Sequence, residues 1–343
     1  MFFWLTGGVD LGDSGQFEAI ENLGESGFAG RHLVLGDRAV IDSIVKGAGL
    51  SRKASAYYRS VLARYSQIAG VQRSIKKVQV SAECHSPVLD GEWTVPLQSF
   101  RTDDSVERLL LLVEHMYDYK VIHGLSSIFL KEMGVAAWVR LAVTPVSGGG
   151  GGTSLTLAVH QRNRQSLGLC IVDSDRPHIK GAVGSTAKGC IGVYDYRWSW
   201  GFHILGAREL ENLVPPQLYE IAGVGASIGG GNYYSVDAWP IHGFADTKKG
   251  DCLCRFRSLT PVDQSYRETQ AALAYSEVEA CDNCPSPACR LCAANDGALV
   301  ALSANFDRHP LASQRQLHAR VPPLTELLDE VVSSAAAANW RIT

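Results

Sequence analysis

Leu109-Leu110-Leu111-Leu112-Val113 is an unbroken apolar run that ends directly on Glu114. A run of strand length with no polar residue at alternate positions fits a strand covered on both faces, the habit of parallel sheets in α/β folds. Residues 117–132 then switch to helical spacing through Val121, Leu125, Ile128 and Phe129. Trp138 to Val146 reads as strand, Gly148 to Gly152 as a glycine run, Ser154 to Arg164 as helix, and Leu167 to Val172 as a second buried-type strand. Strands alternating with helices predict βαβ units and a parallel sheet. In such sheets chemistry collects beyond the carboxyl ends of the strands.

Two of those strand ends are acidic. The first runs into Glu114, with Asp118 one helical turn further on; the other runs into Asp173-Ser174-Asp175. On an extended chain, side chains two apart share a face, so Asp173 and Asp175 are expected to point into one opening. Adjacent parallel strands lie about 4.8 Å apart, which lets Glu114 join them. Carboxylates crowded in this way repel one another, and a hard cation with a taste for oxygen, Mg²⁺ or Mn²⁺, relieves the repulsion. The alternative is that these acids only cap helices and terminate strands.

Leu110 to Asp118, the Gly148 to Gly152 run and Ile171-Val172-Asp173-Ser174-Asp175-Arg176 together resemble the Toprim domain of topoisomerases, bacterial primases and the overcoming-lysogenization-defect (OLD) nucleases. His115 stands where that domain usually has glycine. Arg208-Glu209-Leu210-Glu211-Asn212-Leu213 and Ala245-Asp246-Thr247-Lys248-Lys249-Gly250 are similar to elements of the OLD-type and related defence-associated Toprim proteins. The resemblance covers roughly residues 105–260. It implies a Toprim-like α/β core with a mostly parallel sheet flanked by helices and a two-metal Mg²⁺ or Mn²⁺ site. Glu114, Asp118, Asp173 and Asp175 would hold the first metal or its water, Glu211 with Glu209 would complete a second site, and Lys248 would stabilise phosphate charge. Ser185 and Thr186 after Gly184 are read as local phosphate contacts or as a turn. The implied activity is metal-dependent cleavage of nucleic-acid phosphodiesters, DNA favoured and RNA or tRNA open, in antiphage or anti-plasmid defence. An ABC- or SMC-type ATPase subunit is an implied partner, and an oligomeric or complexed state is expected. A non-catalytic nucleic-acid-binding subunit on a Toprim-like scaffold is the alternative.

The rest of the 343 residues divides, on this reading, into a smaller N-terminal domain (1–104) and a C-terminal region (261–343). Residues 1–30 carry five acids and no base, whereas 51–82 carry Arg52, Lys53, Arg59, Arg64, Arg73, Lys76 and Lys77 with no acid. Interleaved with Tyr57, Tyr58 and Tyr65, this stretch reads either as a surface that tracks phosphates and stacks bases or as a solvated helix that answers the acidic segment. Near-balanced charge (32 basic, 35 acidic) gives no global nucleic-acid signature, so such a function must come from local patches. Nine cysteines, four of them in Cys281-x-x-Cys284 and Cys289-x-x-Cys292, point to a zinc-knuckle-like insertion with structural Zn²⁺, an iron–sulfur cluster being the other use of four near thiolates. Cys252 and Cys254, at strand spacing, could replace one pair as ligands. This cysteine usage, with no membrane-length apolar run, leads to the expectation of a cytoplasmic protein with no membrane partner. The glycine run lacks the Lys-Ser/Thr ending of a P-loop.

Overall fold

The computed structural model describes residues 1–47, 49–102, 106–162, 166–223, 243–248, 251–252, 260–265, 290–292, 297–306 and 320–340. The N-terminal part builds a sheet of its own. Its elements are β1 (Phe2–Thr6), α1 (Ser14–Phe28), β2 (Leu33–Gly36), α2 (Arg38–Lys46), α3 (Arg52–Ala63), α4 (Tyr65–Ile68), β3 (Val78–Ser81), β4 (Val88–Asp90) and β5 (Glu92–Pro96). The strand order is β2-β1-β3-β5-β4, parallel except for the β4–β5 hairpin. The opening apolar residues of the chain are thus a central strand, buried from Phe2 to Leu5. Glycines let α1 and α3 pack closely: a Cβ on Gly27 would sit 2.4 Å from the Tyr57 ring, and one on Gly24 2.6 Å from Tyr58.

The second sheet comprises β6 (Leu109–Val113), β8 (Val143–Ser147), β9 (Gly168–Val172) and β10 (Trp200–Ile204) in the order β10-β9-β6-β8, parallel throughout. Helix α5 (Met116–Glu132) follows β6, α6 (Thr153–Arg162) precedes β9, and α7 (Ser185–Val193) follows it. Both faces are covered, as the unbroken run requires. Leu109, Leu111 and Val113 enter the large core, whereas Leu112 joins Leu157, Cys170, Val172, Ala187, Cys190 and Trp200 in a second cluster on the other face. Residues 138–146, expected as one strand, break at Ala142. There β7 (Val139–Leu141) leaves to pair antiparallel with β13 (Ala336–Ala338), and the Ala142 N–H donates to the Ala335 carbonyl at 2.8 Å.

The large core is continuous between the two sheets, from Phe2 and Phe3 to Leu109 and Leu169. Two C-terminal helices complete it: α9 (Ala298–Phe306) lies on α5, and α10 (Pro322–Ala335) touches α5, β1, β7 and β9 through a stripe that includes Leu324, Leu327, Leu328 and Val331. That stripe has the i, i+3, i+4, i+7 spacing of a core-facing helix. Among the described residues no helix is long and apolar enough to cross a membrane.

Candidate active site

Glu114 and Asp173 leave the adjacent strands β6 and β9 side by side, and the Asp173 N–H donates to Glu114 Oε1 at 3.0 Å. The Glu114 backbone is held in turn by the glycine run, since its carbonyl accepts from Gly149 N–H at 3.0 Å and Ser147 Oγ at 3.2 Å. Gly149 and Gly150 take φ of 70° and 62°, a left-handed backbone that side chains disfavour, which is why the run is glycine there. His115 sits at φ −137°, ordinary extended backbone, so glycine is not required; its ring stacks on Tyr117 with centroids 5.1 Å apart. The Asp118 carboxylate folds back to accept from His115 N–H at 2.9 Å.

The second half of the site is delivered by residues 208–212 and 243–248. Asp173 Oδ1 accepts from Leu210 N–H at 3.0 Å, which ties a short 3₁₀ turn (Leu210–Asn212) to the strand end. Asn212 braces the turn from within, taking Glu209 N–H at 3.1 Å and donating to the Ala245 carbonyl at 3.0 Å. Arg208 makes the matching tie, its N–H to the Gly243 carbonyl at 2.7 Å and its guanidinium to Asp246 at 3.1 Å. Arg208 and Asn212 therefore fasten the two segments, while Glu209 and Glu211 are buried between them, 7% and 5% exposed. The outcome is that Lys248 Nζ lies 3.4 Å from Glu211, 3.6 Å from Glu209 and 3.8 Å from Asp173.

Electrostatics follow from burial and crowding. Burial, then the Glu211 charge, pushes Asp118 up to about 7 against the pull of its His115 hydrogen bond. Burial raises Glu209 to about 7, opposed by Lys248 and reinforced by Glu211. Burial and Glu211 lift Asp173 well above the carboxylate range, and burial also raises Glu114. For Lys248 burial opposes the charge, but Glu211, Asp173 and Glu209 outweigh it and the pKa rises. Tyr117, at the edge, is pushed up to about 12 by burial and Asp118.

Asp175 departs from the sequence reading. Its φ is +51°, so the chain turns left-handed where an extended Asp-x-Asp was expected, and the shared-face argument does not hold. The residue is exposed beside Gly184, where a Cβ would fall 2.4 Å from Asp175 Oδ2, and its charge still acts on Glu114. Ser185 and Thr186 begin α7 immediately after that glycine.

The basic stretch needs a correction of another kind. Residues 52–63 are helical, but Tyr57 and Tyr58 point into the core, fully buried, with hydroxyls bonded to the Val34 backbone and the Ile20 carbonyl. Tyr65 bonds to the Gly36 carbonyl at 2.9 Å. The rings of Tyr57 and Tyr58, turned inward, cannot stack bases, whereas that of Tyr65 is half-buried with the Arg38 guanidinium 6.0 Å from its centroid. Arg52, Lys53, Arg59 and Arg64 line an open groove beside Phe28; Arg73 and Lys76 border another hollow, and Lys77 pairs with Glu92 at 2.9 Å. Acids of α1 answer this region by capping: Glu21 accepts from Ser51 N–H at 2.8 Å and Glu25 from Ser51 Oγ at 2.6 Å.

Cys281, Cys284 and Cys289 lie outside the described residues, and of Cys292 only the backbone is described. It belongs to β12 (Arg290–Cys292), which pairs antiparallel with β11 (Asp251–Cys252), Asp251 opposite Cys292 and Cys252 opposite Arg290. Lys249 and Cys254 are likewise outside. So is Gly225-Ala226-Ser227-Ile228-Gly229, which spells the serine-hydrolase pattern Gly-x-Ser-x-Gly. That motif needs a strand leading into it, and the element before it here is helix α8 (Pro216–Ile221).

Among the described residues no group of three or more His, Cys, Asp or Glu side chains is arranged to hold a metal ion. The centre of the acidic patch holds the Lys248 ammonium instead. The donor chemistry nevertheless suits a hard divalent cation: all donors are carboxylate oxygens, and Glu209 Oε2 is buried with no hydrogen-bond partner among the described residues. Comparison with protein families, curated proteins and solved structures yields no match for this chain. Fold and site together define an α/β protein with a carboxylate-and-lysine cluster at the carboxyl edge of a parallel sheet.

Proposed function

We propose that this protein is a Toprim-type, metal-dependent nuclease that hydrolyses nucleic-acid phosphodiesters, DNA before RNA or tRNA, as an effector of antiphage or anti-plasmid defence. The observation that carries the reading is the meeting of Glu114, Asp173, Glu209, Glu211 and Lys248 from four separate stretches of chain. A structural role gives no reason to bury so many repelling acids together. Glu114, Asp118 and Asp173 would hold one Mg²⁺ or Mn²⁺, with Asp175 at the rim, and Glu209 with Glu211 a second. Bound there, the ions would supply Lewis-acid activation of water and of the phosphate. Lys248 would move from its carboxylate partners to the phosphate and balance the charge that builds there. Arg208 and Asn212 position the two glutamates. An ABC- or SMC-type ATPase would regulate such a chain from outside.

The test is cleavage of supercoiled plasmid and of total tRNA with Mg²⁺, Mn²⁺ or EDTA, wild type beside Glu114→Gln and Asp173→Asn. Metal-dependent cutting lost in both folded variants is expected; full activity in either would overturn the assignment. One observation favours a second reading, a non-catalytic nucleic-acid-binding subunit: Lys248 already pairs with Glu209 and Glu211 where a second ion would sit. That reading expects substrate binding without cutting in every metal, even beside the ATPase.

A further inference from the structure

At the far end of edge strand β10, near Trp200 and away from the carboxyl edge, a cavity of 360 Å³ opens between the two sheets. It is bounded by the β4–β5 hairpin, by Lys76 and Lys77, by residues 194–203 and by Glu330 of α10. A volume above roughly 300 Å³ is that of a small-ligand site. Its walls are aromatic. Trp93 and Tyr196 approach with ring centroids 5.7 Å apart, and Tyr194 lies 5.1 Å from Phe202. Tyr196 is 63% exposed and Leu89 47%, so a flat apolar lip faces solvent at the mouth.

Polar groups share the lining with the rings: Arg197, Ser333 and Ser334 beside His203, Glu330 and the Lys76–Lys77 pair. His203 Nε2 is buried with no hydrogen-bond partner among the described residues, and burial keeps the imidazole neutral by lowering its pKa to about 4. A neutral imidazole offers one donor and one acceptor. Glu330 is half-buried, and burial raises its pKa against the charge of Lys76. Lys77 is engaged by Glu92, while Lys76 is exposed at the rim.

We propose that this cavity binds a nucleotide: a nucleobase stacked on the Trp93–Tyr196 lip, its polar edge toward His203 and Glu330, and its phosphate at Lys76. A base presents the flat π-face that stacks on such rings, together with the mixed donor and acceptor edge that His203 and Glu330 would meet. A purely apolar ligand would leave both polar groups desolvated and unpaired. A free nucleotide and the terminal or extruded nucleotide of a strand share this chemistry. The site is independent of the acidic cluster and stands with or without nuclease activity.

Tryptophan fluorescence and calorimetric titration of the full chain with the four ribonucleoside 5′-monophosphates and with single-stranded hexanucleotides test it. Wild type is expected to bind at least one of these probes. Tyr196→Ala, at an exposed position that does not threaten folding, should weaken that binding about tenfold, the size that losing one base–aromatic stack carries; Lys76→Gln should weaken the monophosphates more than the corresponding nucleosides, titrated beside them. Mononucleotide binding assigns an effector site, and binding of the hexanucleotide alone assigns a clamp on the strand. Binding of neither, or binding unchanged in Trp93→Leu/Tyr196→Ala, overturns the proposal.

Discussion

Replacing Lys248 by methionine keeps the unbranched apolar stem, one atom shorter, and removes the ammonium that faces Asp173, Glu209 and Glu211 at 3.4–3.8 Å. At an effective dielectric near 20, one such pair attracts by roughly 5 kcal/mol before desolvation is counted. Desolvation of the ammonium cancels part of that, and breaking a buried pair from one side typically costs about 3–5 kcal/mol. With Lys248 31% exposed, the lower end, about 3 kcal/mol, is expected. The loss must depend on pH, and its sign is fixed by linkage. Glu209 and Asp118, raised to about 7, and Asp173, raised well above its ordinary range, hold protons in the folded chain that the unfolded chain has released. Their contribution to stability is full below the ordinary carboxylate range and fades as pH rises through about 7. Urea unfolding followed by circular dichroism in EDTA should therefore show a large deficit for Lys248→Met at pH 7.5. The deficit should be much smaller at pH 5, where the acids neutralise themselves. Millimolar Mg²⁺ should restore part of the loss at pH 7.5 if the acids accept an ion. A variant as stable as wild type at pH 7.5 in EDTA would refute the electrostatic reasoning.

Gly27→Ala drives a methyl to 2.4 Å from the fully buried Tyr57 ring and should cost about 1–3 kcal/mol in urea unfolding, the range for overpacking. Tyr57→Phe removes a hydroxyl that bonds both the N–H and the carbonyl of Val34, leaves those groups unpaired and should cost about 1–3 kcal/mol by the same measurement. Arg59→Glu/Arg64→Glu should leave the melting temperature within a degree or two, because neither guanidinium supports the core. The same variant should weaken nucleic-acid binding at low salt and flatten its salt dependence; unchanged affinity would remove α3 from the interface.

Strand β6, strand β9, helix α5 and the acids that follow the strands were legible because each rests on a local pattern: an unbroken apolar run means two covered faces, and a polar residue at its end means an exit from the core. The inward turn of Tyr57 and Tyr58 was not legible, since a tyrosine between arginines looks the same whether its ring meets solvent or a glycine on a neighbouring helix. Nor was the break at Ala142. Residues 138–146 have one strand-like pattern, and only the arrival of Ala336–Ala338 from the other end of the chain gives β7 a partner of its own.

Chain chemistry by itself determined that a doubly covered parallel sheet forms, that Glu114 and Asp173 stand at its carboxyl edge, and that Glu209, Glu211 and Lys248 are available in polar segments downstream. It could not determine which of those charges meet, because pairing across 37, 39 or 75 residues depends on backbone ties with no local signature, such as Asn212 to Ala245 and Asp173 to Leu210. Tertiary structure decided that Lys248 enters the acidic cluster, that Asp175 turns to its rim, and that the two sheets enclose an aromatic cavity at their other end. Local sequence sets what a segment can bury; only the closed fold sets which buried and half-buried charges become neighbours, and charge energies change most at those short separations.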